Sequence, residues 1–141
     1  MASNPVHVYT DMCADLFHVG HVNLLKQCKS LYPSVYLIVG IHNDKTIESY
    51  KRSPVCSMFE RMEVLKSCKY VDKIIPDSPL TITADFMTEH NIDLIVHGDN
   101  IPVDERDKMY GYAQSIGKYR EVPRYNGIST TEIIQRCRNK Q

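Results

Sequence analysis

Apolar positions along the chain follow two alternating periods. Pro5-Val6-His7-Val8-Tyr9 is a short β-branched run that predicts a strand, and Val22, Leu24, Leu25, Cys28 and Leu31 then recur at helical spacing. Ser34 to Gly40 is a continuous apolar run that predicts a buried second strand. It leads into a polar segment, His42-Asn43-Asp44-Lys45, and a loop carrying Tyr50 to Pro54. Ser57 followed by Glu60 is a capping box, which predicts a helix running to about Cys68. Tyr70 to Ile75 predicts a third strand stopped by Pro76, and Thr81 or Thr83 opens a helix reaching about His90. Ile92 to His97 predicts a fourth strand, followed by Gly98-Asp99-Asn100. Asp104 is the candidate cap of a helix through Ile116, Lys118 to Val122 a short fifth strand, and Ser129 with Glu132 a second capping box opening a helix to about Arg138.

Strands alternating with helices argue for an α/β fold: a five-stranded parallel sheet wound on both faces by helices. Ligands in such sheets bind beyond the carboxyl ends of the strands, where the strand order reverses. With the order 3-2-1-4-5, strands one and four flank that point. The loop after strand one and the His97-Gly98-Asp99 turn then meet there.

Composition narrows the partners. The 141 residues suit one domain, and Lys plus Arg balance Asp plus Glu at 17 each, so no net basic field favours nucleic acid or an anionic membrane. Five cysteines, with no CxxC pair, fit a reducing compartment better than a disulfide framework. The start lacks a signal-peptide pattern, and the apolar run from Val35 to Ile41 is far shorter than a membrane span. A cytoplasmic protein with no stable membrane anchor is expected.

The chemistry concentrates in Asp11-Met12-Cys13-Ala14-Asp15-Leu16-Phe17-His18-Val19-Gly20-His21, where the first strand turns into the first helix. Two histidines three apart share a helical face. Gly20 between them lets a ligand approach the backbone, and the helix start favours anions. This combination describes a phosphate site. An alternative zinc role for the histidines lacks the further Cys or His partners that a structural site needs.

His-x-Gly-His in this position resembles the signature of the HxGH nucleotidyltransferase superfamily. The longer motif from Asp11 to His21 is similar to the cytidylyltransferases that activate phosphoethanolamine and phosphocholine. A second block, Arg124-Tyr125-Asn126-Gly127-Ile128-Ser129-Thr130-Thr131, resembles their R-T-x-G-[IV]-S-T-[TS] motif. The resemblance covers roughly residues 5–138. It implies a Rossmann-like fold and a homodimer, with Mg²⁺ bound through the phosphates of CTP. It implies that His18, His21 and Lys51 are catalytic, with Arg52 an ambiguous neighbour to Lys51. Cys13, Ala14, Asp15, Gly20, Arg61, Asp99, Arg124, Gly127, Ile128, Ser129 and Thr130 would serve the nucleotide. Asp11, Leu80 and Tyr110 would face the amino-alcohol, Asp11 against its cation and Tyr110 as an aromatic wall.

Several positions depart from the family pattern. Met12 replaces a glycine, Ala14 an aromatic, Tyr125 a threonine, and Leu80 stands where relatives carry an aromatic residue. Losing that aromatic wall penalises a quaternary ammonium most. The expected function is therefore CMP transfer from CTP to phosphoethanolamine, releasing pyrophosphate and giving CDP-ethanolamine for phospholipid synthesis. Choline-phosphate cytidylyltransferase, a catalytically inactive nucleotide-binding domain and a relative that uses ATP are the alternatives.

Overall fold

The computed structural model describes residues 4–140. In chain order it contains β1 (Val6–Met12), α1 (Val19–Lys29), β2 (Val35–Ile41), α2 (Asp44–Glu48), α3 (Met58–Lys66), β3 (Lys73–Pro76), α4 (Ala84–Glu89), β4 (Leu94–Gly98), α5 (Val103–Ser115), β5 (Tyr119–Val122) and α6 (Thr130–Asn139). The strands form one sheet in the order β3-β2-β1-β4-β5. Every pairing is parallel, and β1 and β2 stay in register from Val6 opposite Val35 to Met12 opposite Ile41. This is the Rossmann-like arrangement expected, with β1 and β4 adjacent at the reversal.

Strand periodicity builds two cores. Val8, Leu37, Val39 and Val96 face one side and pack with Leu25 and Cys28 of α1 and Leu65 of α3. Tyr9, Ile38 and Ile95 face the other and pack with Met87 of α4 and Tyr110 and Ala113 of α5. Successive strand residues point to opposite faces, so a continuous apolar run serves both layers. Each such side chain contributes roughly 1.5–3 kcal/mol on burial.

The differences from the sequence reading have local causes. α2 lies where only a polar segment was expected: Asn43 Oδ1 accepts the Thr46 N–H at 2.8 Å and caps five residues, too few for a periodic signal. Pro76 ends β3 from inside, which an edge strand tolerates because one row of N–H groups is unpaired. Thr83, not Thr81, caps α4. Asp104 does not cap α5; Pro102 holds that place without a side-chain bond, and Asp104 lies in the first turn. Ser129 caps α6 by accepting the Glu132 N–H at 3.1 Å. Glu132 pairs with Arg136 at 3.6 Å rather than completing the predicted box.

Candidate active site

The turn after β1 is held in an unusual backbone shape. Ala14 (φ 57°) and Leu16 (φ 49°) both take the left-handed conformation on either side of Asp15. That conformation disfavours side chains carrying a Cβ. The buried Asp15 carboxylate offsets it by accepting the Val55 N–H at 2.8 Å and the Cys56 N–H at 2.9 Å. Asp15 thereby fastens the segment that follows Lys51 to the turn.

The two histidines form the first turn of α1 between them. His18 is the N-cap, in extended geometry, and so precedes the helical face on which its spacing places it. Its Nδ1 accepts the Gly20 N–H at 3.0 Å, while His21 Nδ1 accepts the His18 N–H at 3.1 Å. A ring nitrogen that accepts a backbone N–H carries no proton, so each neutral ring holds its proton on Nε2. Burial pushes the His21 imidazole down to about 3, with His18 and Lys51 adding repulsion. Burial and then Arg124 lower His18 as well. Both rings are therefore neutral donors at working pH. Their centroids lie 4.0 Å apart, and Phe17 stacks on His21 at 5.3 Å. The room left by Gly20 is used by His18 itself, since a Cβ there would come within 2.8 Å of His18 Cε1.

His18 Nε2 reaches Thr130 Oγ1 at 3.3 Å, and Thr130 donates to the Asp15 carbonyl at 3.1 Å. The N-terminus of α6 is thus pinned beside the histidine pair, 112 residues away in sequence. Both border a cavity of about 760 Å³ outside the carboxyl ends of the strands. Cys13, Gly20 and Lys51 line it with the histidines. Arg124, Ile128, Ser129 and Thr130 line it too, with Thr130 against His18, and so do Leu80 and Tyr110. Free N–H groups at the start of α6, the histidine Nε2–H groups and the cations Lys51 and Arg124 border one cavity, an arrangement able to hold an anion.

Five predicted site residues do not line the cavity. Asp15 and Ala14 shape the turn. Asp99 Oδ1 accepts the Arg124 N–H at 3.0 Å and so aims the segment after β5 that carries Arg124. Gly127 lies under the Tyr125 ring, which a Cβ would meet at 2.5 Å; its contribution is close approach rather than a left-handed turn. Arg61 requires correction. It is 1% exposed and donates to the Cys13 carbonyl at 2.7 Å, the His42 carbonyl at 2.8 Å and Asp44 at 2.7 Å. It braces the ends of β1 and β2 from behind, because its place one turn into α3 points it inward.

The inner end of the cavity holds a cluster that the sequence reading found only in part. Tyr110 donates to Asp11 Oδ1 at 2.5 Å. Burial, then the charge of Asp11, keep the Tyr110 phenol protonated. The ring is fully buried and stacked on Tyr119 at 5.3 Å, so it offers no open face as a wall; its hydroxyl orients Asp11 instead. His42 and Tyr50 were missed. His42 is 4% exposed, its Nδ1 lies 2.9 Å from the Tyr50 hydroxyl, and its Nε2 lies 3.6 Å from Asp11 Oδ2. Their signal was positional: His42 follows β2 directly, at the carboxyl edge beside β1. Burial raises the Cys13 thiol against the pull of Lys51 and Arg61, leaving it a neutral wall of the cavity.

A family profile described as Cytidylyltransferase-like matches residues 9–136. Choline-phosphate cytidylyltransferase 2 of Arabidopsis thaliana is 40% identical over 139 residues, 96% of this chain and 45% of that protein. Ethanolamine-phosphate cytidylyltransferase of the same plant is 40% identical over 137 residues, 94% of this chain and 32% of that protein. The chain spans less than half the length of these curated relatives. Among solved structures, a lipopolysaccharide core biosynthesis protein of Thermoplasma volcanium shares the fold. Its TM-score is 0.71 at 22% identity, over 87% of this chain and all of that one. No helix among the described residues is long and apolar enough to cross a membrane.

Proposed function

Because the chain belongs to the cytidylyltransferase-like family, we propose that it transfers CMP from CTP to phosphoethanolamine. A phosphate oxygen of the acceptor attacks the α-phosphorus of CTP, the bond from that phosphorus to the bridging oxygen breaks, and pyrophosphate leaves. The acceptor phosphate, with a second pKa near 6, is largely a dianion at neutral pH and needs no general base. Catalysis reduces to alignment and charge neutralisation. His18 and His21 donate from Nε2, Lys51 brings a full charge, and Arg124 with the N-terminus of α6 holds the triphosphate.

The observation that carries this reading is the 3.3 Å approach of His18 Nε2 to Thr130 Oγ1. It joins both motifs over one cavity that Asp11 also lines. An acceptor with an anion at one end and a cation at the other suits that pairing of groups. No group of three or more His, Cys, Asp or Glu that would hold a metal gathers among the described residues. On this reading Mg²⁺ enters with the nucleotide, held through the CTP phosphates.

Relatives named for choline phosphate, which rank first, and for ethanolamine phosphate match at the same 40% identity. The aliphatic Leu80 and the covered Tyr110 ring favour ethanolamine, since a trimethylammonium leans on open aromatic faces. A pyrophosphate-release screen with CTP across phosphoethanolamine, phosphocholine and glycerol phosphate tests the proposal. Phosphoethanolamine should give the highest kcat/KM. Absence of turnover on all three, with CTP still bound, would leave an inactive nucleotide-binding domain. The homodimer implied by the family is part of the same proposal; sedimentation equilibrium at micromolar protein checks it.

A further inference from the structure

We infer that His42, together with Asp11, selects a primary ammonium over a quaternary one. The inference rests on the reading that this cavity takes an amino-alcohol phosphate. Six buried side-chain atoms lack a hydrogen-bond partner among the described residues, and only Asp11 Oδ2 and His42 Nε2 belong to residues that line the cavity. The two side chains are 2% and 5% exposed, and these atoms face each other at 3.6 Å, too far for a hydrogen bond. The other polar atom of each is already engaged: Tyr110 donates to Asp11 Oδ1, and the Tyr50 hydroxyl lies against His42 Nδ1. Asp11 Oδ2 and, with the ring proton on Nδ1, His42 Nε2 are left over as acceptors, and both residues line the same cavity.

A primary ammonium carries three N–H donors and a charge. One N–H donates to Asp11 Oδ2 and a second to the lone pair of His42 Nε2, with the imidazole proton on Nδ1 and donated to Tyr50. A trimethylammonium has no N–H. It leaves both atoms without a donor and cannot approach them as closely. Each buried acceptor left unmet corresponds to about a tenfold loss or more, so a preference of about 100-fold is expected.

The test uses the protein as it stands with two variants. His42→Phe removes the acceptor and keeps the bulk; His42→Gln keeps an acceptor near the Nε2 position. The ratio of kcat/KM for phosphoethanolamine and phosphocholine is measured in each, with CTP affinity by calorimetry as the control for folding. ¹⁵N-histidine spectra are recorded on titration with each phosphate alone. The proposal expects the ratio to fall at least tenfold in His42→Phe, to hold within about threefold in His42→Gln, and the His42 Nε2 signal to move with phosphoethanolamine only. An unchanged ratio in a His42→Phe protein that binds CTP normally overturns it, as does equal movement of the signal with both ligands. A protein that turns over no acceptor would defeat the cytidylyltransferase reading, and the spectra would still judge His42.

Discussion

Replacing His21 by asparagine separates its titration from its place in the helix cap. The asparagine side-chain oxygen is suited to accept the His18 N–H that His21 Nδ1 accepts at 3.1 Å. What is lost is an imidazole held at about 3, against an ordinary value of 6.5, chiefly by burial and then by His18 and Lys51. The sign follows from which state binds the proton. Below pH 6.5 the unfolded chain takes one up at this position, whereas the folded chain does so only near pH 3. Stability is therefore fully present above 6.5 and is lost as the pH falls through the interval. At about 1.4 kcal/mol per pH unit, the whole interval amounts to roughly 5 kcal/mol, of which about 2 kcal/mol falls between pH 7 and 5. Urea denaturation of both proteins at pH 7, 6 and 5 measures it. Wild type should lose about 2 kcal/mol more than His21→Asn over that range. Stability curves that run parallel would refute the buried neutral imidazole, and with it the assignment of its Nε2–H as a standing donor. In turnover, His21 should contribute no limb between pH 6 and 9, and the acid limb should follow the acceptor phosphate near pH 6.

Arg61→Met should cost about 3 kcal/mol in urea denaturation, because the Cys13 and His42 carbonyls lose their buried donor. A stable variant with weakened CTP binding would instead restore the nucleotide role implied by resemblance. Gly127→Ala places a Cβ 2.5 Å from the Tyr125 ring and should raise the KM for CTP about tenfold by displacing the ring and the segment before α6. Adding Tyr125→Ala should recover most of that loss; no recovery in the steady-state KM would show that the clash is not the cause.

Much of the architecture was legible because it depends on local pattern. The β-branched runs, the capping serines at 57 and 129 and the strand–helix alternation sufficed for the parallel sheet and its winding. The Asp11-to-His21 and Arg124-to-Thr131 blocks marked two segments that the fold brings to one cavity. The five-residue α2 was not legible, since it rests on one side-chain cap rather than on periodicity. Proton positions on the histidines were also hidden, because they depend on which backbone N–H each ring accepts.

The sequence by itself determined which residues carry charge, donate hydrogen bonds or favour a strand, as these are properties of side chains and their nearest neighbours. Only the tertiary structure decided where those groups point. Arg61 reads by resemblance as a nucleotide ligand, yet packing turns it inward to the Cys13 and His42 carbonyls and to Asp44 at the start of α2. His42 reads as part of a polar loop, yet the parallel pairing of β1 and β2 sets it 3.6 Å from Asp11. Register between strands brings together residues that no spacing along the chain relates, and the inner end of the cavity is made of such pairs.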